Sequence, residues 1–276
     1  MNTNFSYETF TDRNSGYIQP ENQKKIHELK LLIAGCGLGS STTICAARMG
    51  FSHFTLVDGD VVDMHNLNRQ FFDVEDIGHP KVSALKKHIL RINPDAQVEA
   101  MVAYLHKDNT EALVKNVDII FDTIDFLDLD AILSLHTAAK AYKKPVFTAL
   151  SIGPGAGVLF FPPGSQGSLA DVISADIKLA QGEGDASYTH VFSKIMGRIG
   201  AHLDKEVVEQ VAQALTIMED GRPCPASQIA VGSFTVAALA VSMMHDWIAG
   251  RTVPEAPIMV AHSFKTHETK LINISA

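Results

Sequence analysis

Between residues 29 and 150 the spacing of apolar positions switches repeatedly from runs to helical periods. The run at 29–34 (LKLLIA) is apolar apart from Lys30 and stops at Gly35, the pattern of a strand buried on both faces. Residues 40–49 read as a helix of small side chains around Ile44, with Gly50 as its C-terminal stop. Further strands are predicted at 54–57, 98–102, 117–121 and 146–150. Between them, Val82, Leu85, Ile89 and Ile92 fall at helical spacing over 81–92, and helices are expected around 110–114 and over 127–141. This alternation predicts an α/β fold with a Rossmann-like, doubly wound, mostly parallel sheet.

After Leu150 the pattern changes. A glycine- and proline-rich stretch surrounds one short strand at 157–161, and 168–217 reads as helical with a loop at 181–187 (QGEGDAS). A long apolar helix is predicted at 228–248, followed by a C-terminal strand pair at 257–261 and 270–274. The expected organisation is an N-terminal arm at 1–28, a nucleotide-binding α/β core at 29–164, a helical insertion at 165–225, and a helix with two strands at 226–276 that complete the core.

Composition narrows the function classes. The chain has 276 residues, 46% hydrophobic and 20% charged, which is ordinary for a globular protein. A net charge of −8 with no cluster of Lys and Arg argues against a nucleic-acid partner. The apolar run at 229–244 contains Ser233, Thr235 and Ser242 and is shorter than the roughly 20 residues a membrane span needs, so it reads as a core helix and no membrane partner is expected. The polar first residues carry no signal-peptide pattern. Cys36, Cys45 and Cys224 are too few and too scattered for a disulfide framework, which leads to the expectation of a cytoplasmic protein. With no Cys-x-x-Cys pair, zinc held by cysteines is excluded.

The candidate chemistry begins at the turn Gly35-Cys36-Gly37-Leu38-Gly39-Ser40, where glycines and a helix N-terminus suit a phosphate. Asp58 ends the second strand about 20 residues on, where a carboxylate can accept from ribose hydroxyls. A nicotinamide-dependent oxidoreductase would use the same two features. It would leave unexplained the polar cluster that follows, in which Asn66, Arg69, Gln70 and Lys81 offer donors suited to a triphosphate. His65 and His79 flank these motifs. Asp122 and Asp125 in FDTIDF fall at a strand end and are expected to face the crevice, where a carboxylate can hold Mg2+.

The order and spacing of the GCG loop, NLNRQ, GHPKV and DTID resemble the ThiF/MoeB superfamily, relatives of the ubiquitin-activating enzymes, from about Arg13 to Leu150. The resemblance implies an ATP-dependent adenylyltransferase. Gly35, Gly37 and Gly39 would lie under the phosphates and Asp58 at the ribose. Asn66, Arg69, Gln70 and Lys81 would grip the triphosphate, and Asp125 would bind Mg2+. Arg13 would reach into the partner subunit's site of a homodimer. A substrate carboxylate, on a small molecule, a peptide or a ubiquitin-like carrier, would attack the α-phosphorus and release pyrophosphate. Catalysis would come from positioning and from the charges of Arg69, Lys81 and Mg2+.

This chain departs from the family pattern in three places. It reads Ile124-Asp125-Phe126 where relatives that activate ubiquitin-like proteins read TDN, so a hydrogen-bonding group is lost. The zinc-binding CxxC pairs are absent. No cysteine lies between Gly153 and Arg222, which argues against thioester transfer. Cys224, between Pro223 and Pro225, is the remaining candidate nucleophile and has no base beside it; Cys36 and Cys45 are expected to pack. Ser40 and Phe126 also fit a nucleotide-binding relative that has lost turnover.

Overall fold

The computed structural model describes residues 5–126, 128–165, 167, 169, 188–219 and 227–275. Strands β1 (Lys30–Ala34), β2 (His53–Val57), β3 (Gln97–Met101), β4 (Ile119–Asp122) and β5 (Val146–Ser151) run parallel. Strands β6 (Gly155–Phe161), β7 (Ile258–Ser263) and β8 (Glu268–Asn273) continue the sheet antiparallel. The order across the sheet is β3-β2-β1-β4-β5-β6-β7-β8. Polar residues concentrate on the outermost strands, with Gln97 and Glu99 on β3 and Glu268 and Lys270 on β8, as edges require. Central β4 and β6 are buried throughout, the signature of strands covered on both faces.

Alternate residues of the strands feed two separate cores, because successive side chains point to opposite faces. Leu31, Ile33, Phe54, Leu56 and Phe121 face one layer, formed by α3 (Gly39–Met49), α4 (Lys81–Ile92) and α9 (Ala230–Ile248). Leu32, Ala34, Val57 and Ile120 face the other, formed by α5 (Lys107–Lys115) and α6 (Leu129–Ala141). The doubly wound α/β architecture predicted from the pattern is therefore present. Its antiparallel part is three strands wide, because the glycine-rich strand joins the C-terminal pair.

Helix boundaries follow local chemistry. Helix α3 ends at Gly50, whose φ of 105° closes its last turn. The short helix α1 (Tyr7–Thr11) and α2 (Pro20–Glu28) sit at that end of α3. Asn14 Nδ2 and Gln23 Nε2 donate to the Met49 carbonyl (3.1 and 3.0 Å), and Tyr7 donates to that of Gly50 (2.9 Å), so the N-terminal segment satisfies carbonyls that the helix itself leaves open. Helix α6 starts later than expected because Asp128 caps it, accepting from the Ala131 N–H at 3.0 Å. Helix α9 is long and apolar enough to cross a membrane, yet it packs on β5, β6 and α3. The predicted helical stretch contains α7 (Tyr188–Ile199) and α8 (Lys205–Glu219); the loop expected at 181–187 and Cys224 lie outside the described residues.

Candidate active site

The chain winds from β1 outward to β2 and β3, then returns to place β4 on the other side of β1. At this reversal the loops above the strand ends diverge and leave a crevice. A cavity of about 1010 Å3 opens there.

The glycine turn forms its floor, and its glycines answer to different demands. Gly35 has φ of +85°, and a Cβ on it would lie 2.6 Å from the Thr123 carbonyl oxygen at the end of β4. A Cβ on Gly39 would meet Thr123 Oγ1 at 2.7 Å and Ile33 at 2.9 Å, so that glycine lets α3 sit close on the sheet. It is buried and does not line the cavity, whereas Gly35 and Gly37 do. Ser40, the departure from a third motif glycine, ties two segments together. Its hydroxyl donates to the Gly37 carbonyl (2.7 Å) and accepts from the Phe71 N–H (2.9 Å). Cys36 is fully buried, and burial first, then the Asp58 carboxylate, pushes its thiol well above its usual value, so it packs rather than reacts.

Asp58 reaches back across this turn. Its two carboxylate oxygens accept from the backbone N–H groups of Cys36 and Asp60, both at 2.7 Å. Burial pushes its pKa up, against the pull of the nearby Lys81 ammonium. Lys81, 7% exposed, donates to Asp60 at 2.7 Å, and the Tyr104 hydroxyl donates to the other oxygen of Asp60 at 2.7 Å. A buried ammonium needs a counter-charge, and Asp60 supplies it. Burial raises the Asp60 pKa, but the bonds from Lys81 and Tyr104 outweigh this and hold it below the usual carboxylate range. Asp60 and Tyr104 were absent from the sequence-derived site. Asp60 is detectable in principle, two residues beyond Asp58; Tyr104 carries no local signal. Ala103 and Leu105 join Val57 and Ile124 as apolar lining near Asp58.

The NLNRQ segment lies opposite. Asn66 is buried, and its Oδ1 accepts from the Asp63 N–H at 2.9 Å, which closes a turn. Arg69 donates through Nη1 to the His65 carbonyl (2.7 Å) and through Nε to Gln228 Oε1 (2.6 Å) in the segment that leads into α9. Burial lowers its pKa. Gln70 lies over Gly37, and its Oε1 is buried without a partner among the described residues. A half-turn of that amide would present NH2 at the same place, since the two orientations differ only in which atom is N.

Asp125 is exposed to the cavity and Asp128 also lines it. Asp122, expected to face the crevice, does not. It is 1% exposed and turned beneath the sheet, where Thr148 Oγ1 donates to it at 2.9 Å and His136 Nε2 lies 3.0 Å away. The reason is strand alternation: Asp122 is the last residue of β4 and points into the α6 layer. Arg13 is exposed and does not line its own chain's cavity. It precedes Asn14, which is bonded to the far end of α3, about 15 Å along that helix from the glycine turn. His65 lines the cavity and His79 does not.

Helices α7 and α8 build the opposite wall, with Phe192, Met196, Val207, Val211, Leu215 and Met218 facing in. Phe126 packs edge-on against Phe192, with ring centroids 5.9 Å apart. This contact joins the Asp125 loop to that wall.

Asp58, Asp60, Asp125 and Asp128 bring four carboxylates to the lining of the cavity. An oxygen-ligated cation such as Mg2+ fits that donor set.

The ThiF family profile matches residues 11–274. HesA of Leptolyngbya boryana is 32% identical over 150 residues, covering 53% of this chain and 53% of that protein. The sulfur carrier protein ThiS adenylyltransferase of Escherichia coli K12 is 30% identical over 150 residues, covering 53% of this chain and 59% of that protein. The chain spans about half the length of these curated relatives. A crystal structure of E. coli MccB with ATP superposes with a TM-score of 0.66 at 18% identity, covering 92% of this chain and 66% of that one, a likeness of fold.

Proposed function

Because the chain belongs to the ThiF family, we propose that it is an ATP-dependent adenylyltransferase that activates a carboxylate as an acyl-adenylate. A carboxylate oxygen of the substrate attacks the α-phosphorus, the bond from that phosphorus to the β-bridging oxygen breaks, and pyrophosphate leaves. The observation that carries this reading is that Gly35, Gly37, Asp58, Asn66, Arg69, Gln70, Lys81 and Asp125 line one cavity although they come from five separate segments.

In this reading Asp58 accepts from the ribose hydroxyls with lone pairs left over by its two backbone bonds. The buried Lys81, held by Asp60, meets the phosphates from a fixed position, so little reorganisation accompanies the charge that develops on them. Arg69, braced by Gln228, acts likewise, while Asn66 and Gln70 offer amide donors. Asp125 would hold Mg2+, which would supply positive charge against that of the phosphates. The relative's name, ThiS adenylyltransferase, and the ATP in the MccB crystal structure support ATP as the co-substrate. Exposed Met64, Val231 and Phe234 beside the site support a homodimer, in which Arg13, remote from its own cavity, serves the partner's site.

The test is thermal stabilisation by ATP with Mg2+, set against NADH, for wild type, Lys81→Ala and Asp125→Ala. At a hundredfold excess over Kd, ATP should stabilise the wild type by about 2.7 kcal/mol, and both substitutions should remove most of this. Stabilisation by NADH alone, or by neither nucleotide, rejects the proposal. ATP binding without pyrophosphate exchange for any acid would instead identify a relative without turnover.

A further inference from the structure

The groups assigned to the nucleotide gather at one end of the cavity. Its volume, about 1010 Å3, stands at the top of the ~300–1000 Å3 range of single-ligand sites, so there is room for a second molecule beside the nucleotide. Much of the remaining lining comes from α7 and α8. Val207, Val211, Leu215 and Met218 recur at helical spacing on one face of α8, with Phe192 and Met196 of α7 beside them. Surface helices ordinarily bury such a face against a core. Here these six side chains are only half-buried, because the face looks onto the cavity.

Two further observations define this part of the lining. Among the described residues, its charged groups, Glu206 and Lys265, are paired with each other, so together they add no net charge. The wall is also fixed to the nucleotide end: Phe126 holds Phe192, and Gly153 in the β5–β6 turn sits so close under α8 that a Cβ there would lie 2.9 Å from Val207. A substrate body bearing charge would lose hydration at this wall without compensation, whereas an apolar body covers it.

We propose that the acid activated here is a small carboxylic acid with an apolar body, aliphatic or aromatic, lodged against α7 and α8 with its carboxylate toward the nucleotide end. This rests on the adenylyltransferase reading. A chain of small residues, such as a Gly-Gly tail, would leave the apolar faces uncovered and is disfavoured.

Pyrophosphate exchange measured with acetate, butyrate, hexanoate, octanoate, 3-phenylpropanoate and a peptide ending in Gly-Gly tests the proposal. From butyrate to octanoate the apparent KM should fall about fourfold per added methylene. Val211→Trp, which fills the wall, should raise the KM for octanoate at least tenfold and leave the calorimetric Kd for ATP unchanged. A flat series, or better exchange with the Gly-Gly peptide than with octanoate, overturns the proposal. Calorimetric titration of octanoate needs no turnover: it must bind wild type and bind Val211→Trp at least tenfold more weakly, and no binding to wild type overturns the proposal too. Failure of ATP to bind, seen in its own titration, removes the underlying adenylyltransferase reading instead.

Discussion

Gly35 and Gly37 lie two residues apart in one turn, yet only one is demanded by the backbone. Gly35 has φ of +85° and touches a carbonyl, so Gly35→Ala carries a strained backbone and a contact with main chain that cannot step aside. The strain alone costs about 1–3 kcal/mol. At Gly37 the nearest atom to an added Cβ is Gln70 Nε2 at 3.2 Å, the end of a flexible side chain. Gly37→Ala should therefore stay within about 0.5 kcal/mol of wild type. Urea denaturation checks the contrast, and equal losses at the two positions would refute it. Both glycines stood out in the sequence; their unequal burdens did not, because the burden on Gly35 comes from Thr123, which is distant in the chain. Asp60 illustrates the same limit. Its importance follows from the burial of Lys81, which residue type alone does not disclose.

At the scale of elements, the α7–α8 wall depends on contacts made across the molecule. The Phe126–Phe192 pair ties α7 to the loop after β4. A double-mutant cycle through Phe126→Ala and Phe192→Ala should give a coupling of about 0.5–1.5 kcal/mol, the usual worth of an edge-on aromatic pair beyond area burial. Additive losses would mean that the rings touch without holding the wall. By sequence alone Phe126 is a departure that removes a polar group. Its gain was invisible in the sequence because Phe192 lies 66 residues later. By contrast, α3 and α4 are legible almost to the residue, since the Gly50 stop of α3 and the apolar spacing of α4 are local signals.

Across the whole molecule, carboxylates set the response to acid. Asp76 is buried, accepts from the Asp73 N–H at 3.0 Å and lies 2.6 Å from His88 Nε2. Burial raises its pKa, but the Asp73 N–H and His88 outweigh this and hold it low, as Lys81 and Tyr104 do for Asp60. A depressed carboxylate contributes stability above its unfolded pKa near ~4, and that contribution is lost as pH falls toward the native value. Asp58 acts in the opposite sense: its pKa is raised by burial, so its contribution declines as pH rises from about 4 through the raised value. Stability should thus fall below about pH 4, and Asp76→Asn should flatten that limb while lowering stability at pH 7 by roughly 1–3 kcal/mol. Denaturation midpoints from pH 3 to 7 check both, and an unchanged acid limb in Asp76→Asn would refute the assignment.

What the sequence determined by itself is the part written in short-range patterns. The alternation of buried runs with amphipathic helices specified an α/β sheet wound on both sides, and the glycine turn, Asp58, NLNRQ and Lys81 marked one side of a cavity. These signals are local because strand burial, helix periodicity and turn geometry are settled within a few residues. Only the tertiary structure decided which way each strand-end carboxylate points, turning Asp122 inward and leaving Asp125 at the cavity. It also decided that Asp60 and Tyr104 hold Lys81, that Gln228 braces Arg69, and that α7 and α8 bring an apolar wall to the same cavity. Those outcomes depend on packing between segments up to 160 residues apart, and side-chain burial arises only once the segments meet.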